Sequence, residues 1–410
     1  MDYSPSDLGS PSRLRLLLDH FSRIEDAREP HRVAFAMAEL LLLAVCGTIA
    51  DCDDYDAIAV WGDTHLDFLR RFLPYHHGVP SGRWLTIMMN RINPALFSAC
   101  FTSWVRACWP DRHELVAIDG KTSRRSHDRG HDRAPLHLVS AFATTSRLVL
   151  GQEAVAGKSN ELTAIPALLE RLAADGGLKG AIVTIDAIAC NGAVAQAVRE
   201  AGAHYLLAVK ANQPTLRDEI DLFFKDAEPS LLSSVADIDK GHGRIETRTV
   251  TVAREVDWLG GERRFPGELR LPDVAAIVRV ESKAELKNRC RFETRYYVAS
   301  APLSAQAAAA AIRGHWGIEN QLHWVLDVVF NEDQSRLRKG HGAANMAVVR
   351  HFAINQVRTA QEAKRPPRPT ARPRRVNPSA ASRKTSIKLR RKIAGWDLKY
   401  LQDILGAKVR

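Results

Sequence analysis

Two apolar runs that each close on an aspartate, LVAID at 115–119 and AIVTID at 181–186, bracket two strand-like runs and a helix, and a further strand follows. That order predicts an α/β protein built on a ribonuclease-H-like mixed sheet. A long gap rich in strand patterns adds a β-rich insertion, and helical periodicity over the first hundred or so residues adds a helical N-terminal domain.

The N-terminal region, 1–110, holds SRLRLLLDHFSRI, MAELLLLAVCGTIA and DAIAVWGDTHLDFLRRFL, apolar at helical spacing and separated by short polar or proline-bearing joints. From Leu115 the pattern alternates: strand LVAID, strands LHLVSAFAT (136–144) and RLVLGQEAV (147–155), helix ELTAIPALLERLAA (161–174), strand AIVTID, a helix from about Gly192 to Ala201 and strand HYLLAVK (204–210). Glu319 follows Lys210 by 109 positions, a long gap. It opens with a helical piece, TLRDEIDLFF (215–224), and then reads as strands RIETRTVTVA (244–253), VAAIVRVES (274–282) and RFETRYYVAS (291–300), which places an insertion at about 225–302 inside a core domain of 111–360. Past Gln361, prolines at 366, 367, 369, 373 and 378 interleave with arginines and favour an extended linker, before a last helix at 385–405.

At 410 residues, 45 % hydrophobic and 26 % charged, the chain has the composition of an ordinary globular protein. Its net charge of +11 is unevenly placed: residues 363–410 hold fifteen Lys or Arg against two Asp, which is +13 and leaves the rest at about −2. Such a segment suits phosphate contacts that release counterions and carry no sequence information; a solubilising tail is the plainer reading. Six cysteines, Cys46, Cys52, Cys100, Cys108, Cys190 and Cys290, form no CxxC pair and point to neither zinc nor a disulfide framework. The longest apolar run, 36–50, is too short for a bilayer and carries Glu39, and the N-terminus lacks a signal-peptide pattern, so a cytoplasmic location is expected.

Residues 315–333, HWGIENQLHWVLDVVFNED, read as an amphipathic helix with Ile318, Leu322, Val325 and Val329 on one face and Glu319 at that face's edge. A carboxylate there asks for a partner. Asp119, Asp186 and Glu319 therefore make a candidate metal site, and an all-carboxylate set suits Mg²⁺ or Mn²⁺. Two such ions about 4 Å apart activate water or a 3′-hydroxyl on one side of a phosphodiester and stabilise the leaving oxygen on the other. Lys121, Lys158 and Lys210 are candidates to hold phosphates nearby, as are Arg244 and Arg248 beside the glycines at 241 and 243. Each residue also has a plainer reading: a strand-end turn for either aspartate, a pair with Arg313 or His323 for Glu319, packing near the site for His315 and His323, core positions for Trp316 and Trp324, and a surface or core position rather than base stacking for Trp258. Asp327 and Glu332 stand in reserve for the third carboxylate.

Seven stretches in order carry a resemblance: AIDGK (117–121), LHLVSAF (136–142), KSNELTAIP (158–166), GAIVTIDA (180–187), LAVKANQ (207–213), HGRIETR (242–248) and HWGIENQLHWVLDVVFNEDQSRLR (315–338). The chain resembles the DDE transposases of bacterial insertion sequences, in the group that includes the H-repeat-associated proteins. The resemblance implies that Asp119, Asp186 and Glu319 are the catalytic, metal-holding triad of a ribonuclease-H-like core. It further implies a reaction of strand cleavage and transfer at the ends of the protein's own element, double-stranded DNA as partner (terminal inverted repeats and target), and a homodimer or larger assembly. Two departures stand out: the family's common DAMGCQ is DAIACN here (186–191), and its PSHDT is PSGRW (80–84). A Tyr-Arg-Glu-Lys pattern found around the glutamate in related transposases is also unmatched, with His315 and Leu326 at the arginine and lysine spacings and Arg313 as the candidate substitute. The DAIACN segment motivates an alternative, a DNA-binding relic without catalysis; a nuclease without strand transfer is a third reading.

Overall fold

The computed structural model describes residues 12–406 apart from 27, 30, 32, 111–114, 129, 131–133, 156–160, 187–188, 242–243, 261–264, 266–267, 287–288 and 361–384. In chain order the helices α1 (Arg13–Phe21), α2 (Met37–Ile49), α3 (Tyr55–Thr64), α4 (Leu66–Leu69), α5 (Gly82–Met89) and α6 (Pro94–Cys108) precede the first strand. Then come β1 (Leu115–Thr122), β2 (His137–Ala143), β3 (Leu148–Ala154), α7 (Glu161–Ala173), β4 (Ile182–Ile185), α8 (Gly192–Glu200), β5 (His204–Val209) and α9 (Pro214–Asp226). Four longer strands follow, β6 (Leu232–Gly241), β7 (Arg244–Ala253), β8 (Ala276–Leu286) and β9 (Arg289–Ala299), and the chain closes with α10 (Ala305–Ile318), α11 (Trp324–Val328), α12 (Gly342–Thr359), α13 (Ile387–Trp396) and α14 (Leu398–Leu405).

Two compact units result, one of residues 1–108, 124–135 and 325–410, the other of 109–123 and 136–324. The first is helical. Ser12, Asp54 and Ser81 each cap a helix by accepting a backbone N–H, and Ser81 belongs to the departing PSGRW segment. Phe21, Phe97, Phe101, Trp104 and Phe352 gather in its centre. The last of these lies on α12, a helix buried on nearly every side that periodicity did not disclose. The C-terminal helices belong to the same interior. Arg391 is fully buried, donates to Thr48 O (3.0 and 3.1 Å), pairs with Asp51 (3.1 Å) and Asp53 (3.0 Å), and lies over the Phe330 ring at 4.1 Å, while Arg390 donates to Val357 O and Ala360 O at the end of α12. Two of the fifteen basic residues assigned to a tail are thus interior groups. The proline-rich stretch expected as a linker lies outside the described residues.

The second unit is one nine-stranded mixed sheet in the order β3-β2-β1-β4-β5-β9-β8-β7-β6. Strands β1, β4 and β5 are parallel, and every other neighbouring pair is antiparallel. The β-rich insertion is present, but as a continuation of the sheet: β9 pairs with β5 through Leu206↔Ala299 to Val209↔Tyr296. Its edge strand β6, mostly exposed and bearing Asp237, Asp239 and Lys240, lacks an alternating pattern and was not foreseen. Alanines of α10 (Ala305, Ala308, Ala311) pack with Ile312 onto Val250, Val278 and Val280. Among the described residues no helix is long and apolar enough to cross a membrane.

Candidate active site

Register places the two aspartates. Ile118 of β1 lies opposite Ile185 of the parallel β4, so Asp119 and Asp186, one residue further on each, emerge side by side where the parallel pair ends. Neighbouring strands run about 4.8 Å apart, which puts two carboxylates on adjacent tracks. Asp186 follows the last residue of its strand, as predicted; Asp119 lies within its strand, because β1 continues to Thr122 on its β2 side, with Asp119↔Ser140 and Thr122↔His137.

The helical segment bearing Glu319 differs from the single helix expected over 315–333. α10 ends at Ile318, Glu319–His323 form one π-helical turn, and α11 ends at Val328. Such turns widen the helix by one residue and recur at functional sites. Gly314 lets α10 approach β1, since a Cβ there would run into the Leu115 side chain. His315 Nδ1 meets Thr184 Oγ1 of β4 at 3.0 Å, and His323 Nδ1 stands 3.5 Å from Asp119 Oδ2. Glu319 sits midway between these two anchors, four residues from each, and is exposed. Trp316 and Trp324, expected in the core, are 47 % and 55 % exposed because they lie on the helix's outer side; Arg295 covers the Trp316 ring at 5.7 Å. Trp258 stacks on Phe223 with ring centroids 5.6 Å apart.

Charge ties the carboxylates together. Burial pushes the Asp119 carboxyl up to about 7; the Gly120 N–H opposes this, and the negative charges of Glu161, Glu319 and Asp186 add to it. Asp186 accepts from Lys210 Nζ at 2.9 and 3.3 Å. Burial holds His315 below its ordinary range against the pull of Asp186, so its ring is neutral at neutral pH. Among the described residues no three His, Cys, Asp or Glu side chains converge, as they stand, on a point that would hold a metal ion.

The other candidates scatter. Lys210 reaches Asp186, and Lys121 lies two residues beyond Asp119 on the same face of β1. Arg248 donates to Glu246 (2.5 Å), and Arg313 pairs with Asp237 of β6. Arg244 begins β7, and Lys158 lies outside the described residues. The reserve candidates sit elsewhere: Glu332 is buried against Arg350 (3.5 Å), and Asp327 is on α11. Sequence reasoning passed over Glu161 and His137. His137 Nε2–H donates to Glu161 Oε1 at 2.8 Å, beside Gly120.

Residues 110–356 match the family described as Transposase DDE domain, and residues 18–105 match the one described as DDE_Tnp_1-associated. The chain belongs to the DDE transposase family. This DDE transposase chain is 38 % identical over 347 residues to the H repeat-associated putative transposase YhhI of Escherichia coli K12, covering 83 % of this chain and 90 % of that one. It is 34 % identical over 362 residues to the putative transposase YncI of Escherichia coli O157:H7, covering 86 % and 89 %. Among solved structures, a piggyBac transposase synaptic complex with hairpin DNA covers 97 % of this chain and 82 % of its own at a TM-score of 0.40 and 11 % identity. That score is too low to assign the fold of the DDE transposase chain by itself.

Proposed function

We propose that this DDE transposase catalyses metal-dependent DNA cleavage and strand transfer at the ends of its own insertion sequence, with Asp119, Asp186 and Glu319 as the catalytic carboxylates. The observation that carries the reading is the β1–β4 register, which sets Asp119 and Asp186 side by side at the end of the parallel pair, with Glu319 close enough for its charge to raise the proton affinity of Asp119. The strand order β3-β2-β1-β4-β5, with a parallel centre and antiparallel β2 and β3, supports a ribonuclease-H-like core.

The three carboxylates fit a hard divalent cation by donor chemistry: all are oxygen ligands, and their mutual repulsion is a cost that a cation offsets. Bound there, Mg²⁺ or Mn²⁺, as one ion or a pair, would activate the attacking oxygen and stabilise the leaving one at a phosphodiester. The chain's own groups do the rest. Lys210 neutralises Asp186 and stands where it could move onto a phosphate oxygen. His315 and His323, tied to Thr184 and Asp119, orient the turn that carries Glu319. His315, neutral, adds no positive charge beside the cation.

Double-stranded DNA is the partner, as terminal repeats and target, and holding two ends together calls for at least two copies of the chain. Lys121, Lys158, Lys210, Arg244, Arg248 and Arg313 are the proposed contacts; those already paired to carboxylates must exchange that partner for phosphate. A marked element in a cell tests the reading: Asp119→Ala, Asp186→Ala and Glu319→Ala proteins, each shown to be folded, should fail to excise it. Excision at the parental rate by any of the three would remove that residue from the triad.

A further inference from the structure

We propose that Arg125, Arg336 and Lys339 form a phosphate-contacting surface of the helical unit, occupied by the backbone of double-stranded DNA of any sequence. The proposal rests on the reading above that DNA is the partner. Two segments meet here that lie 209 and 213 positions apart at their contacts, the turn after β1 and the loop between α11 and α12. Residues 124–128 and 333–341 together carry five Arg or Lys against two Asp, Asp128 and Asp333. The carboxylate triad explains neither segment. The stretch SRLR (335–338), which closes the longest motif of the chain, lies beyond α11 and outside any helix or strand.

Packing holds the two segments in place and turns their cations outward. Ser126 is buried, while Arg124 and Arg125 before it are exposed. In the second segment the buried Glu332 pairs with Arg350 at one end. At the other end His341 N–H donates to Asn90 O (3.1 Å), and Gly340 takes φ +51°, where an added Cβ would lie 2.7 Å from that same oxygen. Between these anchors Ser335 and Leu337 are half-buried, and Arg336, Arg338 and Lys339 are exposed. Two of the five cations join the segments: Arg338 Nε donates to Arg125 O at 3.1 Å, and Arg124 pairs with Asp333 at 3.5 Å. Asp128 accepts the Gly130 N–H. Arg125, Arg336 and Lys339 are left without an acidic partner among the described residues. Like charges gathered by packing repel one another, and a line of phosphates offsets that repulsion. All five lie on loops or a 3-10 turn, none on an α-helix or strand of the kind that enters the major groove to read base edges. A solvated loop alone accounts for exposed cations. It does not account for two distant segments, held together through a backbone carbonyl and an ion pair, that gather three of them unpaired.

Binding of the full-length chain, with residues 363–384 unchanged, to labelled duplexes over a range of salt concentrations tests this. One duplex carries the repeats that flank the gene, the other a scrambled sequence. The Arg125→Gln, Arg336→Gln, Lys339→Gln triple variant should bind both duplexes more weakly alike. Its slope of log affinity against log salt should fall by about 2 to 3, since each phosphate contact contributes about 0.9. The Arg125→Lys, Arg336→Lys protein keeps the charges and should keep the parental slope; a lowered slope there too would make the arginines structural and overturn the proposal. If the triple variant does not fold, Lys339→Gln alone decides, with a slope lowered by about 1. A folded Gln variant with parental affinity and slope would overturn the proposal and leave the carboxylate reading standing. Weaker binding to the repeat duplex only, at an unchanged slope, would assign these residues to base readout and overturn it as well. A parent chain that binds neither duplex would overturn DNA as the partner, and the proposal with it.

Discussion

Asp119, the first of the proposed catalytic carboxylates, carries an electrostatic cost. Its carboxyl is held near 7, chiefly by burial, whereas an unfolded aspartate ionises near 3.8, so between those values the folded state resists losing a proton that the unfolded state releases. Stability is therefore lost as pH rises through that window. Asp119→Asn removes the charge and keeps the shape; in the absence of divalent ions it should stabilise the protein by roughly 1–2 kcal/mol at pH 7, read from urea unfolding, while abolishing cleavage. An Asn variant no more stable than the parent would show that burial does not hold the Asp119 carboxyl up in solution. At this scale the aspartate pair was legible, because each closes an apolar run, and so was Glu319, by its helical spacing. The Glu161–His137 contact was not: it spans 24 residues and depends on a hairpin register that pattern does not encode. Asn191, one of the departures from the family pattern, has a structural office: its side chain accepts the Val194 N–H (3.0 Å) and caps α8, a role in which asparagine is among the preferred residues. The departure at Asn191 therefore lends no weight to a relic without catalysis.

At the scale of elements, two helices carry predictions. His351 lies fully buried on α12, where burial and then the neighbouring Arg350 and Arg358 charges depress its pKa from 6.5 to about 3. Between those values the unfolded chain binds the proton and the folded chain does not, so stability should fall as pH drops from about 6.5, by up to about 1.4 kcal/mol per pH unit for this group. His351→Gln should flatten that slope in urea midpoints measured from pH 7 to pH 5; an unaltered slope would assign it to other groups. α13 is tied to its surroundings by Arg391. Arg391→Met removes a guanidinium that serves two carboxylates and two backbone carbonyls, leaves Asp53 with Asn331 as its remaining donor, and should cost about 3 kcal/mol or more in the same measurement. A cost under about 1 kcal/mol would mean that α13 is held by apolar contacts instead. The sequence pattern located most of these elements to within a few residues, yet missed α12, which is buried on nearly every side and shows no one-faced stripe. The π-turn at Glu319 was equally invisible, since it alters the spacing only inside a helix already in register.

Across the whole molecule, charge and sheet continuity matter most. Since Arg390 and Arg391 are interior, the phosphate-binding part of the basic segment is best sought in residues 363–384, which hold eight of its fifteen Lys or Arg. Replacing those eight by glutamine should lower affinity for DNA of any sequence and reduce the salt dependence of binding, while deleting 385–406 should unfold the helical unit. An unchanged salt slope would exclude residues 363–384 from phosphate contact. The insertion was legible as β-rich, but its attachment was not, because pairing of β9 with β5 is a long-range choice that no local run of residues specifies. That pairing makes the sheet continuous from the parallel strands that position Asp119 and Asp186 to the edge strand β6.

Labelled DNA carrying the repeats that flank the gene, incubated with purified protein and Mg²⁺ or Mn²⁺, puts the central claim to its most direct test. Nicking at the repeat boundary followed by strand joining, both lost in Asp186→Ala, is the predicted result. Stable binding of that DNA by a folded protein, with no cleavage in either metal, would contradict it.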